Sequence, residues 1–510
     1  MKKAVILLMI FTIISKISGF FRDITLAFFY GTSEISDVFL LAISIPGVIF
    51  GVIAAGISTG YIPLYSRITN NLNEHAGNQF TNNLINILLV ISTVIVVLSL
   101  IFTELIVKVF AIGFEGETLE LAAVFTRISI LGIYFTIIIR ILSAYLNYKE
   151  LFSVPSLLGI PMNIVLIAAI ILSSLSEWVY ILAISILVAY FIQTVIVAVF
   201  AYKKSFRFSP VFKPKDKYIK EMGQLALPVI LGSGISQINR LIDRSLASWV
   251  SVGGISAINY ANTLNTSFIG VFVSSFVTVL YPEISRKAAL NDIKGLKYSV
   301  NQTIVGVMIL IMPATLGAMV FAEPVVRFLF DRGAFNETGV MLTSSAFFYY
   351  SLGMISVSIN LIFTRTFYAL QDSRTPMINS AFALVINIIL NFILAPIMGI
   401  GGLALATSIA STVTSLLLFK SLLKKYGSFG LRRLIPTFTK IIFAAAISVF
   451  SSFLLYGYFL NIFGLMIGLV LIITLIVIIY FSLIFVLKIK GADRFYSIIR
   501  NKLPIRQRNK

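Results

Sequence analysis

Two clusters of charge sit where charge is expensive. The stretch Ser15 to Asp37, SKISGFFRDITLAFFYGTSEISD, begins inside the first apolar run. It carries Lys16, Arg22 and Asp23, and Asp37 opens the next run. With Lys2 and Lys3 at one membrane surface, Lys16 lies thirteen residues deeper. That is about 20 Å along a helix, well into a hydrocarbon core roughly 30 Å thick. A cation there is costly against lipid, so it is expected to face a polar cavity or a partner. Further along, Arg240, Asp243 and Arg244 fall at i, i+3 and i+4, on one helix face and near mid-membrane. Guanidinium groups bind phosphate bidentately, and lysine acts as a point charge. The expected chemistry is recognition without catalysis. Lys16, Arg22, Arg240 and Arg244, tempered by Asp23, Asp37 and Asp243, would form a cationic cavity for an anionic group such as a pyrophosphate. The same residues also read structurally, as a snorkelling Lys16, a Lys16–Asp23 pair two turns apart, or an Arg240–Asp243–Arg244 cluster that pins helix packing. Arg127 and Arg140, on the fourth apolar segment, stay outside the binding set, because Arg140 can snorkel to the nearer surface.

The elements that must position these residues follow from composition. The chain has 510 residues, 58% apolar and 12% charged, with mean hydropathy +0.99. A soluble domain carries about 25% charged residues, so an all-α polytopic membrane protein is expected. The net charge of +20 falls between apolar runs. It therefore sets topology and touches anionic headgroups, and it does not suggest nucleic acid. Cysteine is absent, which excludes disulfides and thiolate metal sites. The single histidine, His75, lies in a polar loop. No nucleophile–base set or metal cluster emerges, so no enzyme is expected. The Met-Lys-Lys start lacks an A-x-A cleavage site and leads into a run carrying Lys16, which reads as a retained first helix.

Apolar segments of spanning length recur about fourteen times. Basic residues collect in the even-to-odd joints, 202–220, 286–297 and 420–433, and after Leu487. The opposite joints are acidic or uncharged, which places both termini in the cytoplasm. An internal repeat links Pro63 to Pro282, 219 residues on, and Asp23 to Asp243, 220 residues on; Ile35-Ser36 recurs as Ile255-Ser256, and Tyr145 and Pro155 are echoed by Tyr368 and Pro376. Six spans per repeat insert both halves the same way up, about a pseudo-two-fold axis along the membrane normal. The expected division is an N-terminal lobe, 1–220, a C-terminal lobe, 221–436, two extra helices, 437–488, and a basic cytoplasmic tail, 489–510.

Ser15-Lys16-x2-Gly19-Phe20-x-Arg22-Asp23, with Tyr30-Gly31 and Asp37, resembles the opening of the MurJ (MviN) lipid II flippases. These belong to the multidrug/oligosaccharidyl-lipid/polysaccharide exporter superfamily. Leu280 to Arg286, Phe328 to Phe335, Phe367 to Pro376 and Gly401 to Thr407 extend the likeness along the chain in family order. The resemblance implies fourteen helices, alternating access and a bacterial cytoplasmic membrane. It implies lipid II as cargo, moved to the outer leaflet for peptidoglycan synthesis, and cell-wall synthesis proteins as further partners. By position, Lys16 takes the place of a family cavity arginine, and Arg22 and Asp37 match family residues. The chain departs at Phe50-Gly51, where relatives carry an arginine after Pro46, and at Asn262-Thr263, where they carry Asp-Arg. The departures bear on cargo more than on fold. The resemblance also implies a sodium site at Asp243, Asn387, Asn391 and Thr407. Asn391 stands at an acidic family position, and Asn387 with Asn391 reads equally as hydrogen-bond glue between helices. Other readings are a flippase for another polyprenyl-diphosphate-linked glycan of capsule, teichoic or O-antigen type, a drug/cation antiporter, and a scaffold for wall enzymes.

Overall fold

A computed structural model describes residues 2–489 of the chain; the basic tail beyond them lies outside the described residues. Helices make up nearly all of that length, and no strand occurs among the described residues. Among the described residues, eight helical segments are long and apolar enough to cross a membrane, and one bent pair adds a ninth. The chain divides by its contacts into two units, residues up to 257 with 332–339, and residues 258–331 with 340 onward.

The first unit holds α1 (Lys2–Tyr30), α2 (Glu34–Asn71), α3 (Glu74–Ile101), α4 (Thr103–Phe110), α5 (Gly116–Ser129), α6 (Gly132–Tyr148), α7 (Ser153–Leu157), α8 (Gly159–Ser176), α9 (Tyr180–Lys203) and α10 (Lys217–Val250). Local chemistry sets their starts. Ser33, Asn73 and Asp216 each turn a side-chain oxygen onto the free amides that open α2, α3 and α10. α2 is the hub, packed on α3, α5, α6 and α10, while α1 lies on α8 and α8 on α9. α10 packs here, against α2. The approach is close because Gly56 lacks a side chain; a Cβ there would come within 2.6 Å of the Ala226 Cβ. At one end the core is aromatic: Tyr61 and Tyr65 stack at 5.5 Å, and the Tyr61 hydroxyl meets Thr81 Oγ1 at 2.7 Å.

The second unit takes up α11 (Gly254–Phe268) from Ile258, then α12 (Ser275–Ala289), joined to it by a π-helical turn over Ile269–Ser274. α13 (Ile293–Val320), α14 (Ala322–Phe330), α15 (Glu337–Ala369), α16 (Arg374–Tyr426) and α17 (Ile435–Val486) follow. α16 and α17 are each two helices joined at a glycine with positive φ, Gly399 at +60° and Gly464 at +72°, a conformation that favours glycine. α13 packs on α17, and the buried Tyr480 hydroxyl donates to the Ile309 carbonyl at 2.8 Å. The far side of α17 exposes Phe443, Phe450, Leu454 and Phe485, a face suited to lipid.

The repeat is visible in the helices themselves. α3 and α13 are both 28 residues long, and their first residues, Glu74 and Ile293, are 219 apart. Each is capped by the residue before it, Asn73 or Asp292, and each gives way to a short helix at a phenylalanine of matching backbone, Phe102 (φ −103°, ψ 29°) and Phe321 (φ −108°, ψ 27°).

Candidate functional site

Within the first unit a cavity of about 410 Å3 opens between α2, α6 and α10. α2 contributes a strip of small residues, among them Ser44, Gly47, Gly51 and Ala54. A side chain added at Gly47 would meet nothing within 4 Å, so this residue borders open space. At Gly51 the wall is closer, and an added Cβ would lie 2.9 Å from Gln237 Nε2. α10 supplies Gln237, Arg240 and Arg244, and α6 supplies Arg140. Gln237, Arg240 and Arg244 share a face by their three- and four-residue spacing. Among the described residues that line the cavity, three are arginines and none is a carboxylate. Guanidinium stays charged at any working pH and offers paired N–H donors that match phosphate oxygens. Such an arrangement is suited to a polyanion.

The expected site residues divide. Arg240 and Arg244 come together as the spacing suggests, and Arg140 joins them. The sequence reading set Arg140 aside as snorkelling; the signal that singles it out is a charge enclosed by Ile137 to Ile141. Lys16 is exposed on α1 and is not among the residues lining this cavity. Arg22 turns to its neighbour: Nε and Nη2 donate to Asp23 Oδ1 at 3.0 and 2.6 Å, and Nη1 reaches Asn163 Oδ1 on α8 at 3.4 Å. Asn163 also donates to Ser18 Oγ at 2.9 Å, which ties α1 to α8. Asp37 is buried and accepts the Ser256 amide at 2.7 Å, which fixes the start of α11 to α2.

Of the four expected sodium ligands, Asp243 belongs to the first unit and sits half-buried on α10. The other three lie together in the second. Asn391 Nδ2 donates to Asn387 Oδ1 at 3.1 Å, and Asn387 Nδ2 donates to Thr407 Oγ1 at 3.3 Å. Both of those oxygens are thus already met by amide donors, an arrangement that suits hydrogen-bond glue between the two halves of α16. No cluster of three or more His, Cys, Asp or Glu able to hold a metal occurs among the described residues.

Comparison with known proteins bears on the chain as a whole. The family model for the lipid II flippase MurJ matches residues 26–467. A probable lipid II flippase MurJ of Buchnera aphidicola subsp. Baizongia pistaciae is 30% identical over 431 residues, 82% of this chain and 83% of that one. Its counterpart in Vibrio cholerae is 28% identical over 432 residues, 82% of each. A solved lipid II flippase MurJ in an inward closed conformation superposes with a TM-score of 0.81 at 27% identity, covering 94% of this chain and 99% of its own. An inward-facing multidrug transporter of the wider exporter superfamily shares the fold, with a TM-score of 0.70 at 14% identity. With the match running along most of its length, the chain belongs to the lipid II flippase MurJ family.

Proposed function

We propose that this protein is a transporter that carries lipid II from the inner to the outer leaflet of a bacterial cytoplasmic membrane. The observation that carries this reading is the cavity between α2, α6 and α10, which Arg140, Arg240 and Arg244 line together with no carboxylate among its described lining residues. A diphosphate is the part of the cargo that such a site holds. Charge-assisted, bidentate hydrogen bonds replace its hydration, while the polyprenyl tail stays in lipid. Small residues along α2 leave the space, and Gln237 adds an amide beside the arginines.

Alternating access then moves the bound headgroup across. Each charge that crosses the membrane potential gains or loses about 2.3 kcal/mol per 100 mV. Fourteen crossings follow when α16 and α17 each count as two, α5 with α6 and α7 with α8 count as one each, and α1, α10 and α11 with α12 also span. Both termini are then cytoplasmic, and two repeats of six crossings, 1–220 and 221–436, precede two extra helices, 437–488. Lys16 and Arg22 belong to the proposed path as cations met in another state of the transport cycle.

Competition in nanodiscs tests the cargo. The full chain should retain lipid II against undecaprenol and release it to excess undecaprenyl diphosphate. Undecaprenol competing as well as the diphosphate would remove phosphate recognition from the account. Stronger retention of a teichoic or capsule precursor than of lipid II would reassign the cargo.

A further inference from the structure

The segment that joins α9 to α10 has no regular secondary structure, yet its backbone is bound at nearly every other residue. Four asparagines on one face of α3 do this. Asn78 donates to the Ser205 carbonyl at 3.1 Å and Asn82 to Arg207 at 2.8 Å. Asn86 donates to Ser209 at 3.2 Å and to Val211 at 2.9 Å. Asn83 both donates to the Lys213 carbonyl at 2.9 Å and accepts its amide at 2.7 Å. The Tyr145 hydroxyl holds the Lys204 carbonyl at 2.6 Å, and Phe206 is buried against the Tyr145 ring. Side-chain amides thus do for this segment what a neighbouring strand would do in a sheet.

A segment held this way presents its outer side chains as a fixed surface. Lys203, Lys204, Arg207, Lys213 and Lys215 are exposed. Between them Phe208 and Phe212 stand out, 63% and 53% exposed. Arg207 lies 3.6 Å over the Tyr202 ring and donates to the Tyr202 and Phe206 carbonyls, so its position is locked. The segment 203–215 contains no acidic residue, and Asp216, which follows it, caps α10. The surface begins where the apolar helix α9 ends, at Lys203, and so lies at a membrane boundary. Basic side chains interleaved with exposed phenylalanines, at that depth, match an anionic bilayer interface: lysines meet headgroup phosphates and rings enter the acyl boundary. What favours a bilayer over a soluble acidic partner is this position at the end of a membrane-spanning helix, where headgroups and acyl chains lie within reach of the lysines and the phenylalanines together.

We propose that the asparagine-clamped segment 203–215 is a docking surface for anionic phospholipid headgroups, with Phe208 and Phe212 inserted between them. This surface is separate from the arginine cavity and does not depend on the cargo. Because the chain has no cysteine, Phe208→Cys carries a single environment-sensitive fluorophore on the otherwise native full-length protein. In nanodiscs containing phosphatidylglycerol the emission should shift to the blue, and lipid-borne quenchers should reach the probe. In phosphatidylcholine alone both effects should be absent, and inorganic phosphate should not restore them. With Lys203, Lys204, Lys213 and Lys215 changed to Gln, the phosphatidylglycerol fraction giving half the shift should rise at least fivefold. Equal insertion in neutral lipid, or no insertion in either, overturns the proposal. A shift produced by inorganic phosphate alone also overturns it, by reducing the surface to a phosphate site.

Discussion

At the scale of residues, charge in an apolar run was the readable signal and its partner was not. Arg240 and Arg244 were legible because their spacing puts two cations on one face where lipid would penalise both. Arg140 was not, because it stands alone at the middle of α6, with no second cation on its own helix to mark a face. The Lys16–Asp23 spacing suggested a pair, and the structure joins Asp23 to the adjacent Arg22 instead, since Asn163, a residue of distant α8, fixes the guanidinium from the other side. Two substitutions test this scale. Gly47→Leu places a side chain in open cavity space and removes a helix-interior glycine, whose cost is about 1 kcal/mol. The variant should match or exceed the native protein in thermal stability and lose most lipid II retention; full retention would mean that the cargo does not use this space. The second concerns Asp292, which accepts from Lys287 Nζ at 2.9 Å and from the Gly295 amide at 2.8 Å. The lysine hydrogen bond first, and the amide second, hold its carboxyl below the ordinary value. A depressed folded pKa adds stability above the unfolded value, near 4, which is lost as pH falls through the folded one. Asp292→Asn keeps the cap, as Asn73 does at the matching site. Melting curves should show native and variant converging at low pH and the native protein slightly more stable at neutral pH. A constant gap down to low pH would contradict that assignment.

At the scale of elements, the long apolar runs made the helices legible, and punctuation placed many of their ends. The breaks at Gly399 and Gly464 fall between segments that the sequence counts as separate spans. The π-helical turn over Ile269–Ser274 was not legible, because hydrogen-bond slippage leaves no mark on hydropathy. The repeat was legible from a few motifs, and the structure extends its offset to whole helices. It reaches single side chains as well. Asn301 lies 219 residues after Asn82, and its Nδ2 donates to the Phe429 carbonyl at 2.6 Å, as Asn82 does to Arg207. Sequence alone could not show this clamp, since asparagines on an apolar helix read as interhelical glue. Asn86→Ala withdraws the donors to two carbonyls, and each such hydrogen bond is worth about 1 kcal/mol. Limited proteolysis should cut within 205–213 about five to thirty times faster in the variant, with the remaining helices equally protected. Unchanged cleavage would show that the segment is held by other means.

At the scale of the whole molecule, class and family were legible, because long apolar helices stand out in hydropathy and motifs recur in order over most of the chain. The cavity was only half legible. It takes one face from each of α2, α6 and α10, which are far apart in sequence, and no local pattern reports which faces meet. At about 410 Å3 it stands near the low end for small-molecule sites, roughly 300–1,000 Å3. A diphosphate and its first sugar fit that space, and a peptide-bearing disaccharide does not, so loading must widen it. The decisive measurement is lipid II exposure at the outer leaflet of a bacterium depleted of its own flippase and lacking any backup. The native chain should restore exposure. Arg240→Ala combined with Arg244→Ala, inserted at the same level, should restore at most about a tenth of it, since each lost charged hydrogen-bond partner costs about 1.5–3 kcal/mol. Full exposure with the double variant would contradict the claim that this arginine cavity carries the cargo.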